Sequence, residues 1–265
     1  MTLNTHSHLE ENQQKKLKIS ADGIFEEKPD IIALQEVNQS IDEKEISCCD
    51  LHFTNKSDII IKKDNYAYLI VEELKKKGVK YFWDWLPVKR GYERYDEGLA
   101  ILSKNPIEKT AAYLISKTND YNNWKKRMVL GAKVENEWFY CVHMGWFDDE
   151  EEPFVKQWEN LTSQISNLEK VWLLGDFNAD SKKTGQSYDL IKQSGWIDSF
   201  EVAKIKDSGV TVTKNIAGWE NKKISQMRID YIFSKHEIPI KESYTVFNGE
   251  KYPIVSDHFG VVILV

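Results

Sequence analysis

The stretch Val171-Trp172-Leu173-Leu174-Gly175-Asp176-Phe177-Asn178 narrows the possible folds more than any other in the chain. Its short apolar start reads as a buried strand. A glycine follows, then an acid and an amide two residues apart, so the strand delivers two polar side chains to a mouth. Partly desolvated Asp and Asn side chains need partners. A divalent metal, an attacking water and phosphoryl oxygens are partners of the right chemistry. A strand running into an Asx turn gives the same local string, so this fragment does not decide the matter alone.

It has company. Ile31-Ile32-Ala33-Leu34-Gln35-Glu36-Val37 is an apolar run that ends in a carboxylate, and Trp138-Phe139-Tyr140-Cys141-Val142-His143 is one that ends in histidine. Arg228-Ile229-Asp230-Tyr231-Ile232-Phe233 places an acid inside a strand. Ser256-Asp257-His258 precedes the last apolar run, and Asn4 follows a very short apolar start. Each piece alone is bland: a strand-end Glu is commonly solvated and a single His is commonly a satisfied core group. The ordered set is far harder to obtain by accident.

That order, Asn, Gln-Glu, His, Gly-Asp-Phe-Asn, Arg-Ile-Asp-Tyr and Ser-Asp-His, resembles the endonuclease/exonuclease/phosphatase superfamily. The resemblance runs from Asn4 to Val265. Further stretches resemble a narrower group, the bacterial maltose 6'-phosphate phosphatases: Leu3-Asn4-Thr5-His6-Ser7, Leu34 to Gln39, Tyr95 to Ser103, and His143-Met144-Gly145-Trp146-Phe147-Asp148-Asp149-Glu150.

Composition sets outer limits. At 265 residues, 41% hydrophobic, with 9 Trp, 12 Tyr and 11 Phe, the chain has ample core material. Its 29% charged residues suit a soluble protein, and no apolar stretch reaches the roughly 18–20 residues of a membrane helix. No secretory signal is expected, and the three cysteines, Cys48, Cys49 and Cys141, lack a metal-type spacing. These features fit reduced thiols in the cytoplasm. A net charge of −6 argues mildly against nucleic acid as partner, because duplex binding leans on clustered Lys and Arg. The runs at 15–18 and 75–77 read as solvated helix faces.

Without an internal repeat or a Pro/Gly/Ser linker, residues 1–265 read as a single domain. Helical spacing covers 9–27, 66–77, 153–168 and 186–193. Strands are expected to 35, over 79–85, 98–102, 128–134, 138–142, 171–176, 229–234, 243–247 and 260–265, with a short strand at 210–213. Residues 40–64 read as an irregular loop near the substrate mouth. Hairpins mixed with helical crossovers exclude a purely parallel doubly wound sheet. Two mixed sheets packed face to face with helices outside fit the α+β element count. The resemblance independently implies this four-layer α-β-β-α sandwich.

The resemblance also implies roles. Glu36 would be a metal ligand, a hard oxygen donor suited to Mg²⁺ with Mn²⁺ as a substitute; Asn4 and Asp257 would complete the sphere, directly or through water. Asp176 and Asn178 would position the attacking water and a phosphoryl oxygen. Asp230 would orient His258, which would take the water proton or stabilise the transition state. His143 would donate to a phosphoryl or leaving-group oxygen, with Glu97, or alternatively Asp96, as its partner. Arg127 would anchor phosphate through its fork, unless it only pairs a surface acid. His6 lies beside Asn4 without a role of its own.

Substrate selection is expected in the loops, from Trp83, Trp85, Tyr92, Tyr95, Trp124, Trp146 and Phe147, of which Trp146 is the chosen sugar platform. The implied substrate is a small phosphorylated sugar, maltose 6'-phosphate, cleaved to maltose and phosphate. A nuclease, an abasic-site repair enzyme or a sphingomyelinase would use the same core residues. The first two need a basic groove and the last an exposed apolar hairpin.

Overall fold

The computed structural model describes residues 1–46, 50–53, 59–213 and 226–265. In chain order the elements are β1 (Thr2–Asn4), α1 (Gln13–Glu27), β2 (Ile31–Ser40), α2 (Tyr66–Lys76), β3 (Phe82–Gly91), β4 (Tyr95–Ser103), β5 (Lys109–Leu114), β6 (Met128–Val134), β7 (Glu137–His143), α3 (Phe154–Gln164), β8 (Val171–Asp176), α4 (Ser187–Gln193), β9 (Ile197–Asp198), α5 (Ser199–Val202), β10 (Ile205–Lys206), β11 (Asp230–Ser234), β12 (Glu242–Val246) and β13 (Gly260–Leu264). Among the described residues these strands form one sheet in the order β10-β12-β13-β1-β2-β4-β3 and a second in the order β5-β6-β7-β8-β11-β9.

Period-two alternation sorts each strand into an outer and an inner face. Ile32 and Leu34 of β2, with Trp83 and Trp85 of β3, face α1 and α2 in one helix-covered core. Val171 and Leu173 of β8, with Tyr231 and Phe233 of β11, face α3 and α4 in another. Ala33, Ile101, Cys141, Trp172, Leu174 and Ile232 fill the space between the sheets. The result is the expected α-β-β-α sandwich of two mixed sheets.

Inward parity does the positioning. His143 continues the inward set of Cys141, Asp176 that of Trp172 and Leu174, and Asp230 that of Ile232. Register pairs His143 with Asp176 across β7 and β8, and Asp176 with Asp230 across β8 and β11. Three polar side chains thus form one row where the sandwich opens. Gly175 permits this approach. Its φ is +154°, and a Cβ there would meet the Val142 carbonyl oxygen at 2.0 Å.

Several elements depart from the sequence reading. α1 begins at Gln13, and residues 7–9 form a separate 3-10 turn. β3 does not end near residue 85 but runs to Gly91 through Pro87. A proline is tolerated because β3 is an edge strand, with a register shift between Pro87 and Lys89. Residues 210–213 form no strand but an isolated bridge, Val212 to Met227. The Thr211 hydroxyl accepts the backbone N–H groups of Ile229 and Asp230 that a ladder would otherwise use. Three further edge elements, β5 and the two-residue β9 and β10, went unforeseen. Cys48 and Cys49 lie outside the described residues; Cys141 is buried, and burial pushes its thiol up to about 12.

Candidate active site

Glu36 reaches the mouth through a backbone irregularity. The β2–β4 register shifts between Leu34 and Val37, and Glu36 sits at φ +52°. Such bulges re-aim a side chain at the cost of ladder bonds. The freed carbonyls are recovered locally. Thr5 Oγ1 donates to the carbonyls of Gln35 and Glu36, at 2.9 and 3.1 Å, and Ser7 Oγ donates to that of Glu36 at 2.8 Å.

Asn4, fully buried at the end of β1, donates through Nδ2 to Glu36 Oε1 at 2.9 Å and to Asp176 Oδ2 at 3.1 Å. It ties one sheet's acid to the other's. Asn178 stands at φ +49° after β8; its N–H donates to Asp176 Oδ1 at 2.8 Å and its Nδ2 to the Met144 carbonyl at 2.9 Å. Its Oδ1 is buried without a hydrogen-bond partner among the described residues. Phe177 between them is fully buried, edge-on to Tyr231 and Phe233, which anchors the turn.

His258 and Asp230 pair as expected, with His258 Nδ1 at 2.9 and 3.1 Å from the two carboxylate oxygens. His258 Nε2 lies 3.8 Å from Asp176 Oδ2, and His143 Nε2 lies 3.6 Å from the same oxygen. The two imidazoles therefore flank one carboxylate. Their protonation tendencies diverge. Burial opposes charge on His258, but Asp230 and Asp176 outweigh it and hold the ring well above the ordinary imidazole range. Burial, then Arg127 and Lys89, hold His143 well below that range. Burial and Asp230 push Asp176 up to about 7 against the pull of His258.

Glu36, Asp176, Asn178, Asp257, His143 and His258 all line one cleft of about 460 Å³, together with Arg127, Trp146 and Glu97. Asn4 and Asp230 stand behind it, bonded to cleft residues. Of the expected metal-ligand set, Glu36 and Asp257 both line the cleft and Asn4 is bonded to Glu36, while Asp257 also lies 3.8 Å from His6 Nδ1. The ligand atoms that gather most tightly are those of Asp176, Asp230 and His258, and those of His6, Glu10 and Asp257, each group within 4.8 Å.

Three expectations are corrected. Neither Glu97 nor Asp96 is the partner of His143. Glu97 pairs with Lys89 at 3.0 Å, and Asp96 is bonded by Tyr121 and Gln39. The extended β3–β4 hairpin brings Lys89 opposite Glu97. Trp83 and Trp85 are no part of the mouth, being at most 1% exposed beneath α2, while Tyr95 is buried in a stack on His8. The described part of residues 40–64 lies away from the cleft, with Ile46, Ile59 and Ile61 against the core under α1 and α2.

Arg127 lines the cleft. It is buried, forms no ion pair among the described residues, and donates Nη1 to the carbonyls of Trp124 and Lys126. Its Nε has no hydrogen-bond partner among the described residues. Trp146 lines the cleft and packs on Val212, Met227 and Ile229. Sequence reasoning missed Lys89, His6 and Arg90. His6 carries an ion pair to Glu10 at 2.7 Å, and against burial that acid and Asp257 raise it to about 9. Its closeness to Asn4 was the one signal available. Lys89 gave none, because its setting depends on how far β3 extends.

A family model described as Endonuclease/Exonuclease/phosphatase family matches residues 1–258. Among solved structures, an endonuclease/exonuclease/phosphatase family protein from Leptotrichia buccalis is 34% identical with a TM-score of 0.85, covering 100% of this chain and 98% of that one. A 3'-5' exonuclease from Neisseria meningitidis is 17% identical with a TM-score of 0.62, covering 99% and 97%. A mannosyl-6-phosphatase from Bacteroides thetaiotaomicron is 20% identical with a TM-score of 0.58, covering 95% and 91%. The last two likenesses speak to fold alone. No curated protein matches the sequence.

Proposed function

The chain belongs to the endonuclease/exonuclease/phosphatase family, whose members are hydrolases that include phosphatases and nucleases, and on that premise we propose that it is a metal-dependent phosphomonoesterase of a phosphorylated disaccharide. Maltose 6'-phosphate is the substrate of choice, cleaved in the cytoplasm to maltose and phosphate by residues 1–265 acting as one domain. One observation carries the reading: Asp176, Asn178 and His258, the last paired with Asp230 behind it, line a single cleft with Arg127 and Lys89. A phosphoryl group there meets groups that orient a water on one side and cations that take up its charge on the other.

The residues fit a hard divalent cation. Burial, Glu97 and Asp257 push the Glu36 carboxyl up, so a cation beside Glu36 and Asp257 removes a standing repulsion. The buried Asn178 Oδ1 is an oxygen donor still in need of a partner. Glu36 and Asp257 would hold Mg²⁺, with Asn4 fixing Glu36. Bound there, Mg²⁺ would neutralise phosphoryl charge.

The chain's own groups do the rest. Asp176, with Asn178, orients the attacking water, and its raised pKa suits it to accept that water's proton. Asp230 keeps His258 charged against the equatorial oxygens. His143, on the other side of Asp176, faces the leaving oxygen. Arg127 offers its free Nε edge to phosphate.

The rim supports a sugar. Tyr92 and Trp124 line the same cleft and are 54% and 56% exposed. They sit on two segments joined by the Arg90 N–H to Tyr121 carbonyl bond at 2.7 Å. Flat rings at an open rim suit the apolar face of a second sugar ring. Among the described residues no helix is long and apolar enough to cross a membrane.

Exhaustive chelation should abolish phosphate release from maltose 6'-phosphate, and Mg²⁺ or Mn²⁺ should restore it. Undiminished turnover after chelation would sink the metal-dependent reading.

A further inference from the structure

We propose that Lys89, Glu97 and Arg127 form an anion subsite on the cleft wall that selects a dianionic phosphate monoester over a monoanionic diester. Its catalytic consequence rests on the phosphomonoesterase reading; the binding itself does not.

A lysine buried in a sheet is costly unless paired. Lys89 is 7% exposed on β3, directly opposite Glu97 on β4, with 3.0 Å between Nζ and Oε1. That one acid does not balance the wall. Arg127, 6% exposed, adds a second fixed cation, which forms no ion pair within 4.0 Å among the described residues. Burial and then Arg127 lower the Lys89 pKa, and burial lowers that of Arg127 despite the acids around it. Two buried cations, of which only Lys89 has an ion pair among the described residues, thus line the cleft.

The donors are also poised for a ligand. Glu97 occupies one of three ammonium donors. Arg127 is clamped by Nη1 bonds to two backbone carbonyls, which leaves its buried Nε without a hydrogen-bond partner among the described residues. Beneath them lies a pocket of about 10 Å³ bounded by Lys89, Glu97, Arg127 and His143, room for about one water or one oxygen atom. Across the cleft stand the acids Glu36, Asp176 and Asp257. The cleft is therefore bipolar. A phosphate monoester keeps two charges and three terminal oxygens, so it can use the metal side and the cationic wall together. A diester carries one charge and two terminal oxygens, and its second ester arm would have to occupy the wall's side.

The test uses the full chain with excess Mg²⁺ and calorimetric titration of inorganic phosphate and, separately, of dimethyl phosphate, which stays monoanionic. Lys89→Gln should weaken phosphate binding by roughly tenfold or more, the scale of a lost charge-assisted contact. Dimethyl phosphate should be affected less than about threefold on the same reasoning. Lys89→Arg should recover most of the phosphate affinity. Glu97→Gln, which removes the ion pair and keeps both cations, should retain or tighten phosphate binding. In parallel, the ratio of kcat/KM for p-nitrophenyl phosphate to that for bis(p-nitrophenyl) phosphate should fall in Lys89→Gln. Equal losses for both ligands, no loss in Lys89→Gln, or a loss in Glu97→Gln matching that in Lys89→Gln would each overturn the subsite. A wild type that binds phosphate selectively yet hydrolyses no monoester would instead remove the phosphomonoesterase reading and leave the subsite standing.

Discussion

The two walls of the cleft are built differently. The acidic wall comes from a bulge, strand ends and one turn: Glu36 within β2, Asp176 at the end of β8, and Asp257 with His258 before β13, with Asp230 of β11 behind His258. Its members are locked to one another across sheets, through Asn4 and through the His258–Asp230 pair. The opposite wall comes from the β3–β4 hairpin and the segment leading into β6, which carry Lys89, Tyr92, Trp124 and Arg127. It ends in exposed rings. The difference suggests a division of labour, with chemistry on the rigid wall and choice of substrate on the hairpin wall.

The sharpest way to break that division is to strike the acidic wall. His258→Ala and Asp176→Asn should each lower kcat by at least about 10²-fold, the low end for a positioned acid–base or electrostatic group. Both variants should remain folded, as judged by near-UV circular dichroism. A folded variant with near wild-type turnover would remove that residue from the chemistry. Glu36→Gln should act through the cation, and its activity should be partly recovered by excess Mg²⁺ in a metal titration. Rescue that never appears would reassign Glu36 to the chemical step or to the fold.

Smaller effects should follow on the hairpin wall. Trp124→Ala should cut kcat/KM for a disaccharide phosphate by roughly tenfold, the worth of one lost stacking contact, and leave an aryl phosphate within a few-fold. Trp146→Ala should do the same. If Trp124→Ala instead lowers both substrates equally, that wall takes part in catalysis and the comparison fails.

The smallest expected effect is on stability. In metal-free protein the folded state raises the His258 pKa, with Asp230 and Asp176 outweighing burial. A raised folded pKa gives stability that is fully present below the unfolded value of about 6.5 and is lost as pH climbs through the folded value. Denaturation midpoints in chelator should therefore fall from neutral to alkaline pH, and His258→Gln should flatten that slope. An unchanged slope would mean the pair is not charged in the folded state.

The same comparison explains what the sequence made legible. Strand-end polar groups announce themselves locally, as an apolar run that stops on His143 or Asp176; Glu36 also follows such a run, although β2 continues past it to Ser40 rather than ending near residue 35. The four-layer sandwich was readable for a related reason, because hairpins and crossovers leave their spacing in the chain. The hairpin wall leaves no such trace. Lys89 becomes a cleft residue because β3 continues past Pro87, and a proline argues against that continuation unless the strand is known to be an edge. Trp83 and Trp85 looked like mouth residues for the same reason; once β3 is extended, alternation turns them under α2. β5 went unseen because its residues are half-exposed and carry little apolar alternation.

The most direct measurement is a comparison of kcat/KM, in Mg²⁺, for maltose 6'-phosphate, glucose 6-phosphate and an abasic DNA duplex. A disaccharide phosphatase should release phosphate from maltose 6'-phosphate well ahead of glucose 6-phosphate and leave the duplex intact. Efficient incision of the duplex without sugar-phosphate hydrolysis would contradict that reading and make the protein a nuclease.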